Sequence, residues 1–308
     1  VVNTGKDVKN TDLSQPSARP DPVQVCPAPE HWLRRQFKLP FLALLLSLFV
    51  IPEMSGQWYS DYYYRKKITI PSSVVEGSGS YKNFPVLIDE THDELRYILN
   101  EGLVHSPTGY DIIFTDNDGT TKLKHEVESY DETTGHLIAW VQIPSLSTST
   151  DNYFYLYYGK PLVLVDPSTS DTWDPDAYVA VYHLHDDFND ASGNQIPGIN
   201  HGSTDDFGLI ADGEDFQEDD RYDWIDAGSF DVTGDSLTIS AWINPLSFNN
   251  QPDARIVSKA DGSSDPDHWW MLSTNNETDL RFRLKIAGTT QLYAPSDDVL
   301  SLGTWQYV

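Results

Sequence analysis

Cysteine is all but missing: Cys26 is the single one in 308 residues, so no disulfide can form within the chain and stability has to come from packing. Basic residues are also scarce, 20 against 47 acidic ones, and the net charge of −27 repels phosphate backbones and anionic lipid headgroups alike. That balance argues against nucleic acid as a partner. No uncharged apolar run reaches the roughly 20 residues that a membrane-spanning helix needs. Apolar residues at helical spacing are nearly absent too, which removes bundles and α/β layouts from consideration.

What remains is rich in aromatics. The chain has 17 Tyr and 9 Trp, ample material for packed interiors, which argues against wholesale disorder. At roughly 100–200 residues per domain, the length suits two domains. Charge divides the same way: up to Val165 there are 20 acids and 14 bases, and from Asp166 onward 27 acids and 6 bases. An Asp-rich surface of this kind suits a salty medium, divalent cations or plain solubility outside the cell.

Residues 39–51 read LPFLALLLSLFVI and follow directly on Arg34, Arg35 and Lys38. A short apolar run behind a basic stretch has the layout of a signal peptide, so residues 31–56 are read as a signal peptide or membrane anchor. Ser55 and Gly56 offer a cleavage point, whereas Met54 is bulkier than signal peptidase prefers. Residues 1–30 are polar and rich in Pro and Asp, and are read as a disordered or non-native leader. Membrane contact is expected only through this N-terminal segment, and the expected location is secreted or at the cell surface.

From 58 to 160 the pattern is short β-branched or alternating apolar stretches between turn signals. Strands are expected at 66–70, 84–89, 110–115, 122–130, 136–143 and 152–158, with one short helix at 93–99. Alternation in HLIAWVQI places Leu137, Ala139 and Val141 on one face, opposite Ile138, Trp140 and Gln142. Asp116, Asn117, Asp118 and Gly119 suit a tight hairpin, and Asp116 and Asp118 are also candidate calcium ligands. Glu126 and Glu128 project from one face of their strand, a spacing comparable to the paired acids of retaining glycosidases. The order HEVESYD lacks the acidic pattern of jelly-roll glucanases, so no catalytic residue is assigned.

The blocks YRKKITI (64–70), NFPVLID (83–89), DIIFTDNDGT (111–120), HEVESYD (125–131), AWVQIP (139–144) and YLYYGK (155–160) resemble the prokaryotic domain of unknown function 2341. The resemblance implies an exported β-rich module of multidomain surface proteins and supplies no catalytic residues.

After a linker at 161–172, whose stretch 166–171 is rich in Pro, Ser and Asp, strands are expected at 178–183, 222–225, 236–243, 255–259, 269–273, 280–286 and 291–294. The blocks TWDPDAYVAVYHL (172–184), DASGN (190–194), DWIDAG (223–228), DSLTISAWINP (235–245), RIVSK (255–259), LRFRL (280–284) and GTWQYV (303–308) are similar to the laminin-G-like, concanavalin A-like jelly roll. The resulting fold class is all-β: two β-sandwich modules in tandem, the second (173–308) a jelly roll lacking its last strands.

The resemblance implies a calcium site at one rim. Asp187, Asp190 and Asn194 are the candidate ligands, with further acids at Asp186, at Asp212, Glu214 and Asp215, and at 218–220. His183 and His185 alternate on VYHLH without a third ligand at zinc-like spacing, which favours a structural role. Trp269 and Trp270, beside His268, are candidate ligand contacts as a stacking platform for sugar rings; alternation sends one of them to the core. Trp242 and Trp305 are expected in the core. Taken together, the residues describe an exported cell-surface binding or adhesion module for an extracellular glycan or surface protein. The alternatives are a part of a secreted polysaccharide-degrading enzyme whose catalytic domain lies elsewhere, and a structural spacer in a surface fibre.

Overall fold

The computed structural model describes Tyr59 and residues 61–308, apart from 186, 218–222, 235, 248–253, 261–267, 276–277, 287–288 and 294–298. The leader at 1–30, the apolar segment at 31–56, Asp186 and the acids at 218–220 lie outside these. The chain divides after Thr172 into two compact units. No α-helix occurs among the described residues, and every paired strand is antiparallel to its neighbour.

The first unit is a sandwich of two three-stranded sheets. Its strands are β1 (Tyr64–Ile70), β2 (Ser80–Thr91), β3 (Ile113–Thr115), β4 (His125–Asp131), β5 (His136–Ser147) and β6 (Asn152–Tyr158). One sheet runs β1-β6-β3 and the other β2-β5-β4. The period of two decides which side chains meet between them. Leu137, Ala139, Val141 and Ile143 of β5 face Phe154, Leu156 and Tyr158 of β6 across one core, which Phe114, Leu123, Leu95 and Val104 complete. The expected helix at 93–99 is instead two single 3-10 turns, Asp93–Leu95 and Ile98–Asn100. Leu95 is driven into the core there, and Glu101 closes the second turn with a left-handed backbone, so there is no room to continue a helix.

One carboxylate holds the end of this unit together. Asp111 is fully buried and accepts backbone N–H bonds from His105 (2.8 Å), Ser106 (2.8 Å) and Gly159 (3.0 Å). Three charge-assisted bonds to one side chain offset the cost of burying it.

The composition of 166–172 reads as a linker, and in the structure this stretch lies against the first unit. The Thr169 N–H donates to His125 O at 2.9 Å and the Val127 N–H to Ser168 Oγ at 3.1 Å. Gln142 Nε2 donates to the carbonyls of Asp171 and Thr172, at 2.9 and 3.1 Å. Gln142, on the outer face of β5, is buried there.

Among its described residues the second unit holds three two-stranded ladders and one four-stranded sheet. The ladders pair β7 (Ile199–His201) with β10 (Trp224–Asp226), β8 (Thr204–Phe207) with β9 (Asp212–Asp215), and β11 (Trp242–Ile243) with β16 (Gln306–Tyr307). The sheet runs in chain order through β12 (Arg255–Ala260), β13 (His268–Asn275), β14 (Asp279–Ile286) and β15 (Thr289–Tyr293). Residues 178–183, expected as a strand, join no ladder although Tyr178, Ala180 and Val181 are buried. Side chains of the following loop bond part of their backbone instead.

Candidate functional site

That loop is the DASGN stretch, and its polar side chains are spent on the protein itself. Asp190 Oδ1 accepts from the N–H groups of Val181 (2.9 Å) and Ser192 (2.9 Å). Its Oδ2 accepts from Ser192 Oγ (2.8 Å) and the Ile196 N–H (3.1 Å). Asn194 Nδ2 donates to the carbonyls of Tyr178 (2.9 Å) and Val179 (3.0 Å). Asp187 accepts from the N–H and the side-chain amide of Asn189. Asp190 and Asn194, proposed from sequence as calcium ligands, therefore stitch 178–181 to 190–196, while the bonds of Asp187 stay local.

The two candidates in the first unit build a turn. Gly119 N–H closes it on Asp116 O at 2.9 Å, with φ of 72° at the glycine. Asp118 accepts from the N–H groups of Thr120 and Thr121 and, at 2.6 Å, from Thr121 Oγ1. The Thr121 hydroxyl leads the donors that hold the Asp118 carboxyl down at about 2. Among the described residues, no three His, Cys, Asp or Glu side chains converge as a metal site would require. Asp212, Glu214 and Asp215, read as loop acids, lie on β9 opposite Phe207, Asp205 and Thr204.

His183 and His185 do not form a pair. Leu184 between them has φ of 58°, which breaks the alternation on which that geometry depends. The His183 ring packs beside Trp173 at 5.7 Å between centroids, while His185 Nδ1 accepts from the Asp212 N–H at 3.2 Å.

Glu126 and Glu128 flank the indole of Trp140 on the outer face of β4. Glu126 is its cross-strand partner, and Glu128 Oε2 accepts from Trp140 Nε1 at 2.6 Å. Glu128 is the extra residue of a β-bulge between Val127 and Ser129. Glu128 is thereby engaged by the Trp140 indole.

Trp269 and Trp270 part company on β13. Trp270 is 6% exposed and packs near Phe230, at 6.3 Å between ring centroids, whereas Trp269 keeps 42% of its surface exposed. Neighbouring residues of a strand point to opposite faces, and a bulge adds to the split: Lys259 pairs with Trp270 and the next residue, Ala260, with His268, so Trp269 has no partner on β12. Lys285 Nζ sits 4.9 Å from the Trp269 ring centroid. Trp242 and Trp305, expected in the core, are half-buried, with Trp242 5.3 Å from the ring of Tyr307.

Two further aromatic surfaces escaped sequence reasoning. Trp224 is 51% exposed and stacked on His201, its partner across β10 and β7, with centroids 4.4 Å apart and planes 14° apart. On the first unit, Tyr153 and Tyr155 line the outer face of β6, with the fully buried Tyr157 next in the row, at 6.1 and 6.4 Å between successive rings. Lys67 stands over Tyr153 (4.1 Å) and Arg65 over Tyr155 (4.5 Å). The signal was the Y-x-Y-x-Y alternation in YFYLYY, since outward aromatics on one strand meet outward cations on its partner.

No curated protein and no solved structure matches the chain. Residues 108–197 match the family described as Domain of unknown function (DUF2341), and residues 219–308 match the Concanavalin A-like lectin/glucanases superfamily. The chain therefore carries a domain of unknown function 2341 followed by a concanavalin A-like domain.

Proposed function

We propose that this chain is an exported, cell-surface binding or adhesion module whose concanavalin A-like domain takes an extracellular glycan, with Trp269 as the stacking contact. The observation that carries the reading is that Trp270 is buried while the neighbouring indole of Trp269 stays exposed beside Lys285. An exposed indole offers an apolar face to sugar C–H groups, and the adjacent ammonium offers donors to hydroxyls or a carboxylate. The superfamily's description as lectins and glucanases supports a carbohydrate ligand. Export rests on the basic and apolar pattern of residues 31–56.

The reading needs no calcium, since Asp118 and Asp190 already accept donors from the protein on both oxygens. A glycan array probed with the intact chain and with Trp269→Ala tests it. The intact chain should retain a defined set of glycans, and the variant should lose about tenfold in affinity for each, the worth of one aromatic contact. Retention unchanged in the variant, or capture of proteins but no glycan, would set the reading aside.

A further inference from the structure

Two charged residues of the first unit stand where the sandwich pattern calls for apolar ones. Lys66 lies directly opposite Leu156 across β1 and β6, and Glu90 directly opposite Leu137 across β2 and β5. Both leucines belong to the core, as do Ile68 and Ile88, two residues along from Lys66 and Glu90. Side chains opposite one another on antiparallel strands share a face, so Lys66 and Glu90 turn toward the space between the sheets.

β1 and β2 are the edge strands of their sheets. A cavity of about 150 Å³ opens between them, with Lys66, Glu90 and His92 on its walls and Ile68, Leu95 and Leu156 as its apolar floor. His92 stands between the two charges: its Nε2 lies 2.7 Å from Glu90 Oε2 and also contacts Lys66 Nζ. The backbone of His92 is fixed by a 3.2 Å bond from its N–H to Gly135 O. Gly135, at φ of 71°, makes room for this approach, since a Cβ there would come within 2.1 Å of His92 O.

One imidazole nitrogen carries at most one proton. With that proton directed to Glu90, Nε2 presents no lone pair to Lys66, and the amine beside it is favoured in its neutral form. Burial lowers the Lys66 pKa in the same sense, partly opposed by the carboxylates of Glu90 and Glu94. Packing does not explain the amine, because an apolar side chain at a partly buried charged position is commonly as stable or more so.

We propose that this cleft captures a small aldehyde or ketone, the open-chain end of a reducing sugar included, by forming an imine at Lys66 Nζ. The neutral amine adds its lone pair to the carbonyl carbon, making the C–N bond. The carbonyl oxygen then leaves as water with both amine hydrogens, relayed by His92 and Glu90, and no oxidant or reductant is consumed. The apolar floor takes the carbon chain, and the volume limits the part inside to a few non-hydrogen atoms. The site stands on the first unit alone and does not rest on the glycan reading of the second.

Glycolaldehyde with cyanoborohydride at pH 7 traps such imines as stable alkyl-lysines, which peptide mass spectrometry of the full chain reads one lysine at a time. Lys66 should be alkylated at least about threefold faster than the exposed Lys67 and Lys82, as expected of a lysine tuned by its surroundings. In denaturant the three rates should converge, and His92→Gln should slow Lys66 while leaving Lys67 and Lys82 unchanged. Lys66→Met should melt at or above the wild-type temperature. A Lys66 rate no higher than that of Lys67, an unaltered rate in His92→Gln, or a clear drop in melting temperature for Lys66→Met would each overturn the proposal, the last by making Lys66 a structural plug.

Discussion

At the scale of single residues, Asp190 and Trp269 show opposite uses of a motif side chain. Asp190 receives donors from Val181, Ser192 and Ile196, so its carboxylate takes the place of a strand ladder for a segment with buried residues. Replacing it with alanine strands three backbone N–H groups, and Asp190→Ala should cost about 3 kcal/mol of stability in the second unit. The loss should be the same with and without a calcium chelator, measured by thermal melts. A chelator-dependent loss would restore the calcium role assigned from sequence. Trp269, by contrast, has no partner on β12, and its chemistry faces solvent.

At the scale of elements, the strands of the first unit were largely legible. The expected stretches 136–143 and 152–158 fall on β5 and β6, because alternating apolar residues on half-buried strands leave little choice of face. Legibility stopped where tertiary partners replace the ladder. Residues 178–183 have the apolar content of a strand, yet the Val181 N–H and the carbonyls of Tyr178 and Val179 are met by Asp190, Ser192 and Asn194, which no local pattern announces. The bulges at Glu128 and Trp269 and the left-handed Leu184 were hidden for the same reason, since each shifts side-chain direction by a single residue without altering composition. In the candidate site, alternation predicted that one tryptophan of the pair would turn inward, and which of the two it is, with the bulge beside it, came only from the structure.

β4 also carries a pH dependence. His125 opens the strand fully buried, with Nδ1–H donating to Leu123 O at 3.0 Å and the ring against Phe114. Burial leads the effects that depress its pKa from 6.5 to about 4, with Lys122 adding to the depression and Asp166 opposing it. The unfolded chain binds this proton below about 6.5 and the folded chain only near 4. Stability is therefore complete above 6.5 and drains away as pH falls toward 4, by up to about 3 kcal/mol. Urea melts of the wild type between pH 7 and 4 should show this slope, and His125→Leu should flatten it. An equal slope in both would reassign the proton to other groups.

At the scale of the whole molecule, the charge of −27 is concentrated from Asp166 onward, while the outer face of β6 gathers tyrosines under Arg65 and Lys67. Both units thus carry aromatic rings beside cations on outward faces of sheets, which supports the proposal that the chain holds a ligand there. Titration calorimetry of a glycan retained on the array, followed by mass analysis of that glycan, puts this to the test. Wild type and the double variant Glu126→Gln, Glu128→Gln should bind alike and return the glycan intact, and Trp269→Ala should bind about tenfold more weakly. Cleavage of the glycan by the wild type that the double variant abolishes, or equal binding by Trp269→Ala, would contradict the account.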